Sequence, residues 1–153
     1  MPPDKMITES ECITLLVPLG WGAWQAQLGF HANFCCEYCD RDLLKTVDDY
    51  DAWQVDHIVP MTRDGEDEQW NRALSCKTCN FIKRNQMLHA GIDPRVDRPA
   101  AIAAIRQALC DLRAAKQTRL DKVREHFRCR TWFEARPWPT VAPDTSLERT
   151  REE

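Results

Sequence analysis

Two pairs of cysteines and one acidic–histidine dipeptide are the residues of this sequence best suited to chemistry. Cys36 and Cys39 form one C-x-x-C pair, Cys76 and Cys79 form a second, and Asp56-His57 lies between the pairs. Two residues between cysteines let both thiolates of a tight turn point at one ion. Two such pairs supply the four sulfurs that structural zinc prefers, so we predict a structural zinc site.

Other uses of the cysteines remain open from the residues alone. Four cysteines can also hold an iron–sulfur cluster, and redox centres share the C-x-x-C spacing, although no βαβ pattern accompanies it here. We expect disulfides to be absent, because no signal peptide is recognisable and a reducing, cytoplasmic location is expected. Cys35 competes with Cys36 as a ligand, and we assign Cys36. The remaining cysteines are expected to be small buried side chains: Cys12, Cys110 and Cys129.

Asp56 and His57 together can support phosphodiester hydrolysis. An imidazole with a pKa of about 6.5 can take a proton from water at neutral pH. A carboxylate can supply one oxygen and one negative charge to a divalent ion, which offsets the charge that builds on a phosphate. Successive side chains of a strand point to opposite faces. We therefore expect the pair at a strand end, where Pro60 bends the chain.

The order of these motifs resembles the HNH endonuclease family, which has a ββα-metal fold. The resemblance covers residues 36–83 and consists of C-x-x-C, D-H-I-x-P, an Asp-Gly loop, Asn, and C-x-x-C-N-x-x-K. It implies that His57 is the general base and that Asp56 and Asn80 hold a divalent ion. It also implies that Asn71 braces the loop that carries the site. A neutral amide ligand favours Mg²⁺ or Mn²⁺ over a second zinc ion.

The expected partner is DNA, with RNA still open. The net charge is −3, but residues 1–80 carry 14 acidic and 6 basic groups, whereas residues 95–130 carry 10 basic and 4 acidic groups. The local field decides the affinity for phosphates, so the net charge does not exclude nucleic acid. Basic residues near the site are expected to contact the phosphates that flank the cut: Arg72, Lys77, Lys83 and Arg84.

The elements that position these residues are expected to form an α+β fold. One N-terminal helix starts at a Thr8–Glu11 capping box, and a second stops at Gly29. A strand starts at Trp53 and ends at Pro60, and a polar loop that contains Gly65 at positive φ follows. A further helix over residues 80–90 is expected to end at Gly91, and residues 48–51 are expected to form a loop.

Four segments are expected along the chain. They are an N-terminal helical segment (1–30), the nuclease core (31–92), a linker with a long basic amphipathic helix (93–136) and a disordered tail (137–153). The basic face of the long helix could extend the contact with DNA, face solvent, or join a protein partner or a second copy. No membrane span is expected, because the apolar run over residues 12–19 is too short.

The leading functional interpretation is a metal-dependent endonuclease that cuts one or both strands of DNA. The main alternative is a zinc-stapled module that binds nucleic acid without cutting it. A third possibility is a nuclease subunit that acts only within a larger phage, restriction or defence complex. The joint presence of Asp56, His57 and Asn80 favours an enzyme, because binding alone needs none of them. The other histidines are expected at the surface or in packing: His31, His89 and His126.

Overall fold

The protein is represented by a computed structural model that describes residues 7–128. The chain divides into two compact units, 1–114 and 115–153. The described part of the second unit, residues 115–128, is the C-terminal end of a long helix that begins in the first unit. The expectations for Cys129 and for the tail over 137–153 lie outside the described residues. The helices and strands, in order, are α1 (Glu9–Leu16), α2 (Ala23–His31), α3 (Val47–Tyr50), β1 (Trp53–His57), β2 (Arg72–Cys76), α4 (Lys77–Lys83) and α5 (Arg98–Arg128).

An antiparallel hairpin of β1 and β2, followed directly by α4, lies at the centre of the first unit. The register pairs Trp53 with Cys76 and His57 with Arg72. Helix α4 packs against both strands. This β–β–α order confirms the predicted α+β fold with a ββα core. Strand β1 ends at His57 and not at Pro60 as predicted, and this end places the Asp56-His57 pair at a strand end, as expected.

The first N-terminal helix starts at the predicted capping box, but the second does not end at the predicted residue. The Thr8 hydroxyl accepts a hydrogen bond from the Glu11 amide (3.3 Å), and the Glu11 carboxylate accepts one from the Thr8 amide (2.8 Å). The expected stop at Gly29 was wrong, because α2 continues to His31. A Cβ at Gly29 would lie 2.4 Å from the Phe34 ring. Glycine at this position leaves room for the Phe34 ring, which a larger residue would displace, and it does not end the helix.

The loop between the two strands uses its Asp-Gly pair differently from the expectation. Asp64, and not Gly65, adopts the positive φ of 62°. Asp tolerates this left-handed conformation better than most residues. A Cβ at Gly65 would lie 2.0 Å from the Val59 carbonyl oxygen, so glycine is required here for a close approach of two backbone segments.

Two further expectations for secondary structure were wrong. The helix expected over residues 80–90 is α4, which starts at Lys77 and ends at Lys83, because Arg84 takes a φ of 51° and turns the chain away. Gly91 has positive φ in a turn that no helix precedes. Residues 48–51 are not a loop, since most of them belong to α3.

The long helix was correctly predicted. The Asp97 carboxylate caps the start of α5 by accepting a hydrogen bond from the Ala100 amide (2.9 Å).

The hydrophobic core is shared by the hairpin, the cysteine turns and the first half of α5. Its largest fully buried apolar side chains are Leu43, Ile58, Leu74, Ile105 and Leu109. Cys12 is buried as expected, whereas Cys110 is exposed, because it lies on the face of α5 opposite this core. Within residues 7–128, no helix combines the length and the apolar character that crossing a membrane requires.

Candidate metal centre and active site

The four predicted cysteine ligands come together in the first unit. The sulfur atoms of Cys36, Cys39, Cys76 and Cys79 all lie within 4.8 Å of one another. Cys35 forms an isolated backbone bridge with Asp42 and is not part of this cluster. Four cysteine sulfurs at this separation are compatible with a structural zinc ion in tetrahedral coordination.

Arginines of α5 contact the two cysteine turns. Arg113 donates to the Cys79 sulfur (2.9 Å) and lies 3.6 Å from the Cys76 sulfur. Arg106 pairs with both carboxylate oxygens of Asp40, at 2.8 and 2.6 Å. A guanidinium beside thiolates offsets their negative charge. These contacts fasten the first half of α5 to the cysteine cluster.

The Asp56 carboxylate is buried, and one of its two oxygens is fully engaged. The Tyr38 hydroxyl donates to Asp56 Oδ2 (2.6 Å), and Lys83 Nζ lies 3.0 Å from the same oxygen. Burial and the charge of Asp56 raise the pKa of Tyr38 well above its usual value, so its hydroxyl stays protonated and donates. Asp56 Oδ1 has no hydrogen-bond partner among residues 7–128. One oxygen is thus held in place and the other remains available.

Lys83 is not on the surface, where a contact with flanking phosphates would require it. Its side chain is 0% exposed and donates to the His57 carbonyl oxygen (2.6 Å) as well as pairing with Asp56. A buried ammonium needs such partners, because desolvation of an unpaired charge is costly. Lys83 therefore fixes the end of β1 from inside. The other basic residues assigned to phosphates are half-buried (Arg72) or exposed (Lys77 and Arg84).

Replacing Lys83 with methionine is expected to lower the free energy of unfolding by about 3–5 kcal/mol, because the Asp56 charge would remain buried without its partner. Urea denaturation followed by circular dichroism measures this change. Lys77→Met on the same helix is the control, because Lys77 is exposed and its replacement should change the free energy by less than about 0.5 kcal/mol. An equal free energy of unfolding for Lys83→Met and the wild type would show that the buried Lys83–Asp56 pair does not contribute to stability.

His57 is half-buried and contacts a carboxylate that sequence patterns did not identify. Its Nε2 lies 2.9 Å from Asp67 Oδ1, which also accepts from Arg72 Nε (2.8 Å). Hydrogen bonds from Arg72 and from His57 hold the pKa of Asp67 well below its usual range. An ionised carboxylate can only accept a hydrogen bond. His57 Nε2 therefore carries the hydrogen of this contact, and in the neutral imidazole the lone pair is on Nδ1.

Asn71 braces the loop between the two strands. Its side-chain oxygen accepts from the Val59 amide (2.7 Å), and its side-chain nitrogen donates to the carbonyl oxygens of Val59 (2.9 Å) and Glu66 (2.8 Å). Its own carbonyl oxygen accepts from the Ile58 amide (2.8 Å). The side chain is completely buried. Asn71, at the end of the loop, is thus hydrogen-bonded to the start of the loop, which follows directly after His57.

Asn80 lies at the seam between α4 and β1. Its side-chain nitrogen donates to Gln54 Oε1 (2.9 Å). Gln54 and Asp56 are two residues apart on β1 and so point to the same face, whereas His57 points to the other. The structure therefore brings Asp56 and Asn80 to one seam, and it places His57 at the adjoining strand end. The amide oxygen of Asn80 has no hydrogen-bond partner in the part of the chain that the structure describes.

Comparison with known proteins places this arrangement in a family. Residues 36–86 match the family model described as HNH endonuclease. A search of the curated proteins and a search of the solved structures found no match to the chain. The matched segment contains both cysteine pairs, the hairpin and α4. The chain is therefore similar to the HNH endonuclease family over residues 36–86, which is about a third of its length.

Proposed function

We propose that this protein is an endonuclease that hydrolyses phosphodiester bonds in DNA with the help of a divalent metal ion. The observation that carries the proposal is that only one carboxylate oxygen of the buried Asp56 is hydrogen-bonded, within a segment that matches the HNH endonuclease family. Tyr38 and Lys83 hold one carboxylate oxygen, the other has no hydrogen-bond partner among residues 7–128, and Asn80 lies on the same helix as Lys83. A buried carboxylate in a purely structural role would be expected to share both of its oxygens.

Asp56 and Asn80 are the residues proposed to hold the catalytic ion. Their available atoms are one carboxylate oxygen and one amide oxygen, and oxygen ligands suit Mg²⁺ or Mn²⁺. Gln54 orients the Asn80 amide by accepting from its nitrogen, which leaves the oxygen for the ion. When bound, such an ion would supply positive charge to the phosphate and to the leaving oxygen.

His57 is proposed to act as the general base. Asp67 keeps the hydrogen of the neutral imidazole on Nε2, so Nδ1 can accept a proton from the attacking water. Lys83 and Asn71 fix the backbone on either side of this imidazole by their hydrogen bonds to His57, Ile58 and Val59. We assign Arg72, Lys77 and Arg84 to contacts with the phosphates that flank the cut.

The four cysteines are proposed to hold a structural zinc ion. That ion would join the turn over residues 36–39 to the start of α4. Tyr38 lies within this turn, and Asn80 and Lys83 lie on α4, so the zinc would keep the partners of Asp56 in register. A closed set of four thiolates leaves no open position for catalysis.

Replacing Asn80 with alanine tests the metal site with the Lys83–Asp56 pair left intact. The cleavage rate is expected to fall at least about 10-fold, and the Mg²⁺ concentration for half-maximal rate is expected to rise. The measurement is cleavage of labelled DNA across a Mg²⁺ titration, with EDTA as the metal-free reference. Asp48→Asn, at an exposed position on α3, is the control. An unchanged Mg²⁺ titration for Asn80→Ala would contradict the proposed ligand.

A further inference from the structure

A cavity of about 760 Å³ lies between α2 and residues 68–72 in the first unit. Its lining includes the side chains of Trp24, Trp70, Arg72 and Arg98. Pockets for small molecules have volumes of roughly 300–1,000 Å³. The cavity is therefore large enough for a single nucleobase.

Exposed aromatic surface distinguishes this cavity from the nearby pair of stacked, partly buried tryptophans. Trp21 and Trp53 stack on each other with centroids 5.1 Å apart. Trp24, in contrast, is 46% exposed, and the Arg72 guanidinium lies 4.9 Å from the centroid of its ring. Indole rings and guanidinium planes are the surfaces on which unpaired bases stack.

Arg72 and Arg98 of the lining are each paired with a carboxylate, which favours a neutral ring over a bare phosphate inside the cavity. Arg98 pairs with Glu37 (2.8 Å), and Arg72 pairs with Asp67 (2.8 Å). Glu68 and Gln69 also line the cavity, and their side chains have no hydrogen-bond partner within the described range 7–128. A carboxylate and an amide can pair with the polar edge of a base.

The cavity adjoins the proposed active site through Arg72. Arg72 is the register partner of His57, and Asp67 Oδ1 binds both Arg72 Nε (2.8 Å) and His57 Nε2 (2.9 Å). The cavity lining is thus separated from the proposed general base by one carboxylate. A strand whose scissile phosphate lies at His57 would bring a neighbouring nucleotide to the cavity.

We propose that this cavity binds one unpaired nucleobase next to the scissile phosphate, stacked on Trp24. The preferred substrates are then DNA strands with unpaired nucleotides at the cut. This inference rests on the proposed function, because the proposed function supplies the position of the scissile phosphate.

Equilibrium binding to His57→Ala, the full chain without its proposed base, tests the cavity separately from cleavage. The probes are a single-stranded oligonucleotide containing 2-aminopurine, the same strand with abasic sites, and the matched duplex, all with Mg²⁺. We expect the single strand to bind more tightly than the duplex and the 2-aminopurine fluorescence to be quenched. Adding Trp24→Ala should weaken single-strand binding by about 5- to 100-fold, whereas Trp24→Phe should keep most of the affinity. Leu19→Ala, at an exposed apolar position outside the cavity, is the matched control.

Three results would overturn the inference about the cavity. They are equal affinity of Trp24→Ala and its parent for the single strand, equal affinity for the normal and abasic strands, and preference for the duplex. Cleavage of DNA by the wild-type chain alongside any of these results would leave the proposed nuclease function standing. A wild-type chain that neither binds nor cuts any of the probes would overturn both proposals.

Discussion

Replacing Cys36 with serine is expected to remove bound zinc and to unfold the first unit. The same replacement at Cys35 is expected to leave the zinc content and the fold unchanged. The Cys36 sulfur lies within 4.8 Å of three other cysteine sulfurs, whereas Cys35 is not part of that cluster. Structural zinc contributes on the order of 10 kcal/mol in small units. Whole domains are stable by only about 5–15 kcal/mol. Loss of the ion should therefore leave little or no folded protein.

Zinc content by mass spectrometry and thermal unfolding by circular dichroism measure this pair of variants. About one zinc ion per chain is expected in the wild type and in Cys35→Ser, and much less in Cys36→Ser. Cys110→Ser serves as a second control, because Cys110 is exposed and free. Full zinc content and normal unfolding in Cys36→Ser would contradict the ligand set. Iron in place of zinc would contradict the identity of the ion.

Replacing His57 with alanine is expected to lower the rate of DNA cleavage by about 10²- to 10⁴-fold, which is the usual contribution of a positioned general base. Its Nε2 is hydrogen-bonded to Asp67, which leaves Nδ1 for the proton of water. The hydrogen bonds of Lys83 to the His57 carbonyl and of Asn71 to the following backbone do not involve the imidazole. Zinc content and folding should therefore stay unchanged.

Single-turnover cleavage with added imidazole distinguishes a lost base from a distorted site. Imidazole in solution should restore part of the activity of His57→Ala, because it can replace the missing base in the space that the side chain left. His126→Ala is the matched control, since His126 is exposed in the second unit. A His57→Ala variant as active as the wild type would contradict the assignment of the base. A loss that coincides with loss of zinc would indicate a structural role.

Short spacings in the sequence were sufficient to predict the cysteine cluster, whereas the ββα order was implied by the resemblance to the HNH endonuclease family. Two residues between cysteines constrain both sulfurs to one turn, so Cys36 and Cys79 could be assigned without a fold. Asn71 was likewise identified through the order of motifs in the HNH resemblance, and its side chain forms hydrogen bonds to Val59 and Glu66 of the loop. These residues were accessible because their geometry is local or follows a fixed order.

Residues that reach the site from distant parts of the chain could not be predicted in the same way. Tyr38 is 18 residues from Asp56, and Arg113 is 34 residues from Cys79, and no periodic pattern connects either pair. Lys83 had the appearance of a surface lysine, because only the packing of α4 on β1 turns its side chain inward. Asp67 is one of several carboxylates in a polar loop, and only the fold selects it.

Incubation of the purified full chain with supercoiled plasmid, in Mg²⁺ or Mn²⁺ and in EDTA, tests the central claim most directly. Metal-dependent cleavage of phosphodiester bonds predicts nicked or linear plasmid with the divalent ion, intact plasmid in EDTA, and intact plasmid with His57→Ala. A zinc-loaded, folded chain that binds nucleic acid but cuts neither DNA nor RNA with any divalent ion would contradict the claim and favour a binding module. A chain that cuts only after a protein partner is added would instead indicate a subunit of a larger nuclease.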